Sequence, residues 1–372
     1  MPASSPKSVE SRLEEQVAAH RLEFDPEQRD TAVRLDRLSA SLLESSRSVG
    51  ETMRAHMRWL PAPQARAPLR GLYLWGGVGR GKTMLMDWFY ESLRFSRRER
   101  SHFYRFMRQV HAELRSVKHR AQPLEAVAER LARRARIICL DEFFVADIAD
   151  AMILAGLFAG LFHRGVTLVA TSNTAPQELY KDGLQRERFL PAIELMQSHV
   201  ETVHLDGGID YRLRQLEQAP TYLDSSRVET AAQLRWRFAA LAGDTALGPR
   251  VLSIEDRGIA ALAVGAGMAW FEFKELFAGP RSQNDYIELA RLYHTILISN
   301  IPEFTSSDED AARRFIAAVD EFYDRGVKLV VSAAAAPAAL YHGDRLKLEF
   351  ERAASRLVEM QTQHYLAGEH RP

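Results

Sequence analysis

Gly76-Gly77-Val78-Gly79-Arg80-Gly81-Lys82-Thr83 is the stretch on which the reading of this chain turns. It follows the apolar run Leu72-Tyr73-Leu74-Trp75 and leads into Met84-Leu85-Met86-Asp87-Trp88-Phe89-Tyr90. A G-x-x-x-x-G-K-[ST] pattern thus lies between a buried strand and a helix, the context that gives it meaning. Glycines let the backbone curl so that several N–H groups point inward at phosphate oxygens, and the helix N-terminus adds partial positive charge behind them. The loop from Gly76 to Thr83, with Met84 after it, is expected to bind a nucleotide. Lys82 would reach the β- and γ-phosphates, and Thr83 would hold Mg2+ through its hydroxyl.

Upstream, residues from about Val9 to Trp59 read as helical, with apolar positions at helical spacing in Thr31–Leu43 and a helix start at Asp25-Pro26. Pro61, Pro63 and Pro68 then punctuate a linker, which makes residues 1–65 a helical N-terminal extension. Downstream, the basic stretch Arg97-Arg98-Glu99-Arg100 reads as a solvated face and His102-Phe103-Tyr104-Arg105-Phe106 as a second strand. Helices follow around Gln109–Lys118 and Leu124–Arg134. Ile137-Ile138-Cys139-Leu140 is a short strand ending in Asp141-Glu142, Met152–His163 a helix, and Val166–Ala170 and Val200–Leu205 two more strands. Strands alternating with helices over 66–208 predict a mostly parallel sheet covered on both faces, an α/β core.

Two polar sites close strands of that core. Asp141, at the carboxyl end of a central strand, is placed to complete a Mg2+ shell, and Glu142 beside it to polarise a water for attack on the γ-phosphate. Asn173 in Thr171-Ser172-Asn173 would lie beside the γ-phosphate and help orient that water.

Residues 209–372 hold an echo of the first half. Arg164-Gly165-Val166, Leu168-Val169, Ala175-Pro176 and Leu179-Tyr180 return as Arg325-Gly326-Val327, Leu329-Val330, Ala336-Pro337 and Leu340-Tyr341, at a constant offset of 161 (325 minus 164). At that offset Glu142-Phe143 falls on Glu303-Phe304, Asp141 on Pro302 and Asn173 on Ala334. A second α/β half, related to part of the first and without its chemistry, is expected. Before it, Ile209–Arg214 and Ala231–Leu241 read as helical, and Val251–Ile254, Ile259–Leu262 and Ala269–Phe273 as short strands.

Composition limits what else the chain can be. The 372 residues suffice for two domains, and 46% hydrophobic with 26% charged content is ordinary for a globular protein. Lys+Arg and Asp+Glu are both 49, so no net charge draws the molecule onto nucleic acid or an anionic membrane. The single Cys139 excludes an internal disulfide and reads as a small buried side chain. No run approaches the roughly 18 consecutive apolar residues that span a bilayer. The start Met1–Lys7 lacks a secretion signal, and Glu10, Glu14 and Glu15 speak against a mitochondrial presequence, so the cytoplasm is the expected compartment.

The loop, Asp141-Glu142-Phe143, Thr171-Ser172-Asn173 and Gln185-Arg186-Glu187-Arg188-Phe189-Leu190-Pro191 together resemble the ZapE family of AAA+ ATPases, bacterial relatives of the mitochondrial lactation-elevated-protein ATPases. The likeness continues through Asp210-Tyr211-Arg212, Pro280–Tyr286, Glu321-Phe322-Tyr323-Asp324 and Ser355–Met360. It implies a P-loop, AAA+-like core, ATP and Mg2+ as cofactors, and ATP-dependent action in the bacterial cytoplasm on a division-ring protein such as an FtsZ-like partner. An ATP-dependent homo-oligomer, in such families a hexamer, is implied with it. Asn173 then takes the place called sensor 1, and Arg186 or Arg188 the place of an arginine reaching a neighbouring subunit's nucleotide, where a guanidinium stabilises charge on the transferring phosphoryl group. Arg212, Arg352 and Arg356 are candidates for a sensor-2 arginine. Phe106-Met107 sits where ring ATPases carry pore loops, although packing against the sheet is the simpler role.

Three other readings share the loop. A helicase-loader-like protein acting on DNA would show salt-sensitive DNA binding, against which the balanced charge argues. A small-molecule kinase would not need Glu142, Asn173 and the arginines in hydrolytic roles. A binding module switched by ATP would assemble with negligible turnover. No N-K-x-D sequence is present, which favours ATP over guanine nucleotides.

Overall fold

The computed structural model describes residues 7–20, 22–55, 68–77, 79–145, 148–181, 183–206, 220–242, 246–265 and 267–371. They fall into two compact units, residues 1–208 and 209–372.

Unit 1 begins with α1 (Val9–Ala18) and α2 (Pro26–Ala55), which pack on α3 (Lys82–Ser92), the helix that follows β1 (Gly71–Trp75). Next come β2 (Arg98–His102), α4 (Phe103–Ser116), α5 (Pro123–Arg134), β3 (Ile137–Asp141), α6 (Ile148–His163), β4 (Thr167–Ser172), α7 (Leu190–His199) and β5 (Val200–His204). The five strands are all parallel, in the order β2-β3-β4-β1-β5. Side chains alternate across the pleat and both faces are covered: Leu72, Leu74, Ile137 and Cys139 pack toward α2 and α3, whereas Tyr73, Ile138 and Leu140 pack toward α4, α5 and α6. Burial pushes the Cys139 thiol up to about 12, the state of an inert core side chain.

One expected strand moves. The second strand is Arg98–His102, and the residues from Phe103 onward are helix. Phe103, Phe106, Met107 and Val110 recur at i, i+3, i+4 and i+7 and are all buried, which is helical periodicity. Phe106 and Met107 are accordingly core residues. The stretch read as a solvated basic face is instead a sheet edge whose inner arginine is largely buried. Of the expected N-terminal helical region, residues 21 and 56–59 lie outside the described residues, as does the expected helix at 209–214.

Unit 2 contains β6 (Tyr222–Asp224), α8 (Thr230–Ala242), the antiparallel pair β7 (Arg250–Ile254) and β8 (Arg257–Ala261), then β9 (Ala263–Gly265), β10 (Met268–Glu272), α9 (Phe273–Phe277), α10 (Gln283–Leu292), β11 (Thr295–Ile301), α11 (Glu309–Asp324), β12 (Lys328–Ala333), α12 (Lys347–Glu359) and α13 (Gln363–Ala367). Its main sheet runs β6-β12-β11-β10-β9, parallel except for β9. Ser282 and Asp285 form a capping box that starts α10.

The echo in sequence is an echo in structure, and it extends further. Shifted by 161, α6 becomes Glu309–Asp324, β4 becomes Lys328–Ala333 and the 3-10 turn Pro176–Glu178 becomes Pro337–Ala339, the bounds observed for their counterparts. β6 and α8 continue the match, standing where β1 and α3 stand in unit 1. Tyr73 lies opposite Ala170 and donates to the Thr174 carbonyl at 2.9 Å, as Tyr222 lies opposite Val331 and donates to the Ala335 carbonyl at 2.7 Å. The offset of 161 holds from α6 to the 3-10 turn but not for the earlier strands: Tyr222 stands 149 positions after Tyr73 (222 minus 73), and the strand before α11 departs from it as well. β11 shifts register between Ile298 and Ile301, so pairing sets Leu140, opposite Ala170, against Ile298, opposite Val331. The counterparts of Asp141 and Glu142 are therefore Ser299 and Asn300, not Pro302 and Glu303.

Candidate functional site

The described part of the glycine-rich loop closes on backbone conformations that L side chains rarely adopt: Gly76, Gly79 and Gly81 all have positive φ, and Gly81 caps α3 in the left-handed region. At Gly76 the need is also steric, since a Cβ there would come 2.1 Å from the Leu205 carbonyl oxygen. Val78 lies outside the described residues. Lys82 is buried and donates from Nζ to the carbonyls of Gly76 and Gly77, both at 2.7 Å, so its ammonium is held inside the loop. Thr83 and Met84, half-buried, open the first turn of α3. Gln28 of α2 donates from Nε2 to the Arg80 carbonyl at 3.2 Å, and Glu27 accepts from the Asp206 backbone N–H at 2.8 Å. The start of α2 therefore braces both the loop and the end of β5. Nothing in the sequence around Gln28 signals that contact.

Asp141 ends β3, and the chain turns at Glu142 with φ of 53°. Three hydrogen bonds lace this turn to the end of β4, and a fourth closes the β4 end on itself. The Glu142 N–H donates to Thr171 Oγ1 at 3.2 Å and the Phe143 N–H to the Thr171 carbonyl at 2.7 Å. Ser172 Oγ donates to the Phe143 carbonyl at 2.7 Å and accepts from the Thr174 N–H at 3.0 Å. With the Tyr73 hydroxyl on the Thr174 carbonyl, Glu142 and Asn173 ride on one rigid double turn. His102, at the end of β2, has Nδ1 3.9 Å from Glu142 Oε2. Burial holds His102 below its ordinary value, so it is neutral beside that carboxylate.

Sequence reasoning missed Arg100 here. Its Nε and Nη2 donate to Asp141 Oδ2 and Oδ1 at 2.7 and 3.2 Å, and its Nη1 reaches Asp87 of α3. Burial pushes the Asp87 carboxyl up in spite of this partner. A charged residue inside an alternating strand pattern, two positions before a strand end, was the available signal.

Arg186 and Arg188 bound a 3-10 turn between β4 and α7; Arg186 Nη2 donates to the Gln177 carbonyl at 2.5 Å, while Arg188 is exposed. Arg352 and Arg356 both pair with Asp320 in unit 2, and Arg212 lies outside the described residues.

The oxygen donors present suit Mg2+: a hydroxyl at Thr83 and a buried carboxylate at Asp141. Among the described residues no group of three or more His, Cys, Asp or Glu is placed to hold a metal ion. A few protein oxygens supplemented by phosphate oxygens and water is the usual Mg2+ arrangement. No helix of the described residues is long and apolar enough to cross a membrane.

A family model for AFG1-like ATPases matches residues 7–369. The cell division protein ZapE of Escherichia coli (strain K12) is 47% identical over 351 residues, 93% of this chain and 94% of that protein. Lactation elevated protein 1 homolog B of Danio rerio is 36% identical over 344 residues, 80% of this chain and 68% of that protein. Among solved structures, DnaI aligns over 50% of this chain and 87% of its own at 14% identity and a TM-score of 0.34. AMPPCP-bound DnaA from Aquifex aeolicus covers 42% of this chain and 46% of its own, at 16% identity and a TM-score of 0.30.

Proposed function

The chain belongs to the AFG1-like ATPase family and is an ATPase; on that premise we propose that its hydrolysis of ATP drives remodelling of a protein partner, a component of the bacterial division ring. The observation that carries the partner class is the 47% identity to ZapE across 93% of the chain. An FtsZ-like protein is the division-ring component of choice, and the cytoplasm at the division site is the place of action. The active form is a homo-oligomer, a hexamer in the ring reading.

The geometry supports the following residue roles. The loop's N–H groups and Lys82 bind the phosphates, with Lys82 exchanging its two carbonyl partners for phosphate oxygens. Thr83 and Asp141 would hold Mg2+, which when bound neutralises charge developing on the phosphates. Glu142 takes the proton of the attacking water, with neutral His102 beside it. Asn173, whose side chain has no hydrogen-bond partner among the described residues, is free to orient the same water. Arg186 or Arg188 completes the site of a neighbouring subunit.

Phosphate release and particle size measured with ATP test this assignment for the parent, Lys82→Ala, Glu142→Gln, and Arg186→Ala combined with Arg188→Ala. Lys82→Ala loses binding or turnover, Glu142→Gln keeps ATP and accumulates the assembled state, and the double arginine variant assembles without turning over. Parent-like turnover in that double variant would remove the between-subunit mechanism.

A further inference from the structure

Asp141 already has a cation. Arg100 lies on β2, the strand beside β3, and pairs by register with Cys139. It engages both oxygens of Asp141 and extends to Asp87, with its side chain 19% exposed and that of Asp141 8% exposed. A guanidinium bound through two nitrogens to one carboxylate fixes its plane as well as its charge. A free divalent ion approaching this carboxylate would meet a tethered positive charge in a partly desolvated place, where like charges repel more strongly than in water.

Unit 2 shows what stands at the same two positions where no metal carboxylate exists. Pairing sets Trp270 at the place of Arg100 and Ser299 at the place of Asp141. Trp270 Nε1 donates to Ser299 Oγ at 2.6 Å. The strand-to-strand hydrogen bond survives while both charges are gone together. A simple brace between these strands therefore does not require a guanidinium; the charge accompanies the carboxylate.

We propose that Arg100 is a positioning residue that serves as the built-in counter-cation of Asp141, holding that carboxylate aimed and closed to free divalent ions until ATP brings its own metal. The proposal rests on the reading of Asp141 as the metal carboxylate. It implies an order: nucleotide and Mg2+ arrive together, and the phosphates supply the ligands that let the ion compete with Arg100 for Asp141.

The test reads metal binding without turnover. Free Mn2+ is titrated against the full chain without nucleotide and followed by electron paramagnetic resonance, for the parent, Arg100→Met, Arg100→Lys, and Arg100→Met with Asp141→Asn. The parent takes up Mn2+ only when a non-hydrolysable ATP analogue is present. Arg100→Met, which leaves Asp141 and Asp87 as uncompensated carboxylates, binds free Mn2+ about tenfold or more tightly than the parent. Adding Asp141→Asn abolishes that gain, and Arg100→Lys, which restores the charge, excludes the ion again. Folded Arg100→Met with parent-like Mn2+ affinity would overturn the proposal. If that variant does not fold, the parent decides alone: tight uptake of free Mn2+ that Asp141→Asn removes overturns it, and uptake only with the analogue supports it. The underlying assignment fails separately, through an Asp141→Asn protein whose analogue affinity still depends on Mg2+ as in the parent.

Discussion

Tyr73 and Tyr222 make the same hydrogen bond at the same place in two related units, so deleting each hydroxyl separates its share in folding from its share in chemistry. The Tyr73 side chain has no exposed surface, and its hydroxyl donates to the carbonyl of Thr174, the residue after Asn173. Tyr73→Phe leaves that carbonyl without its donor where water has little access, at a cost of about 1–2 kcal/mol. Tyr222 is only half-buried, so water can replace its hydroxyl at the Ala335 carbonyl, and Tyr222→Phe costs about 0.5–1 kcal/mol. At about 2–4 °C per kcal/mol for units of this size, the transition of unit 1 falls by about 2–8 °C and that of unit 2 by about 1–4 °C. The catalytic consequences differ more. Tyr73→Phe loosens the turn that carries Asn173, so phosphate release slows about tenfold at saturating ATP while nucleotide affinity holds. Tyr222→Phe leaves turnover at the parent level, because Ser299 and Asn300 stand where a working site has its carboxylates. Calorimetry and a phosphate-release assay on both variants suffice. Parent-like turnover in Tyr73→Phe, or an equal loss in both, would refute the reasoning.

Other outcomes follow from the same geometry. Glu142→Gln keeps ATP affinity and loses about a hundredfold or more in turnover, measured by equilibrium binding beside phosphate release; a loss of affinity instead would reassign Glu142 to binding. Gly76→Ala drives a Cβ against the Leu205 carbonyl oxygen and forces a positive φ on alanine, so urea denaturation registers a loss of more than about 2 kcal/mol, and an unchanged midpoint would contradict the loop geometry. Burial holds His102 below its ordinary 6.5, so the unfolded chain takes up this proton first and stability contributed by neutral His102 falls as pH drops below 6.5. His102→Gln should flatten the acid side of the stability profile of unit 1; an unaltered slope would show that His102 titrates normally.

Much of unit 1 is legible in the sequence because its signals are local. The loop carries its own glycines and lysine, and Ile137–Leu140 is a continuous apolar run and Val166–Ala170 one interrupted only by Thr167, as suits strands covered on both faces. The edge strand was misplaced for the complementary reason. Arg98–His102 is paired on one side only and is not apolar, whereas His102–Phe106 is rich in aromatics and, read only that far, stops short of Met107 and Val110, which complete its helical period. Arg100 went unseen with it, since an ion pair across two strands leaves no trace in local pattern. In unit 2 the fixed offset exposed β12 and the turn after it but not β6 and α8, because residues 225–229 retain none of the glycines that announce the equivalent loop. The register shift within β11 is likewise silent in sequence, and it moves the counterpart of Asp141 from Pro302 to Ser299.

The central claim is that two related units share one working nucleotide site, in unit 1. Bound nucleotide per chain, counted at saturation in the hydrolysis-impaired Glu142→Gln protein, tests it most directly. The account predicts one ATP per chain, and none once Lys82→Ala is added. A second equivalent that survives Lys82→Ala would contradict it.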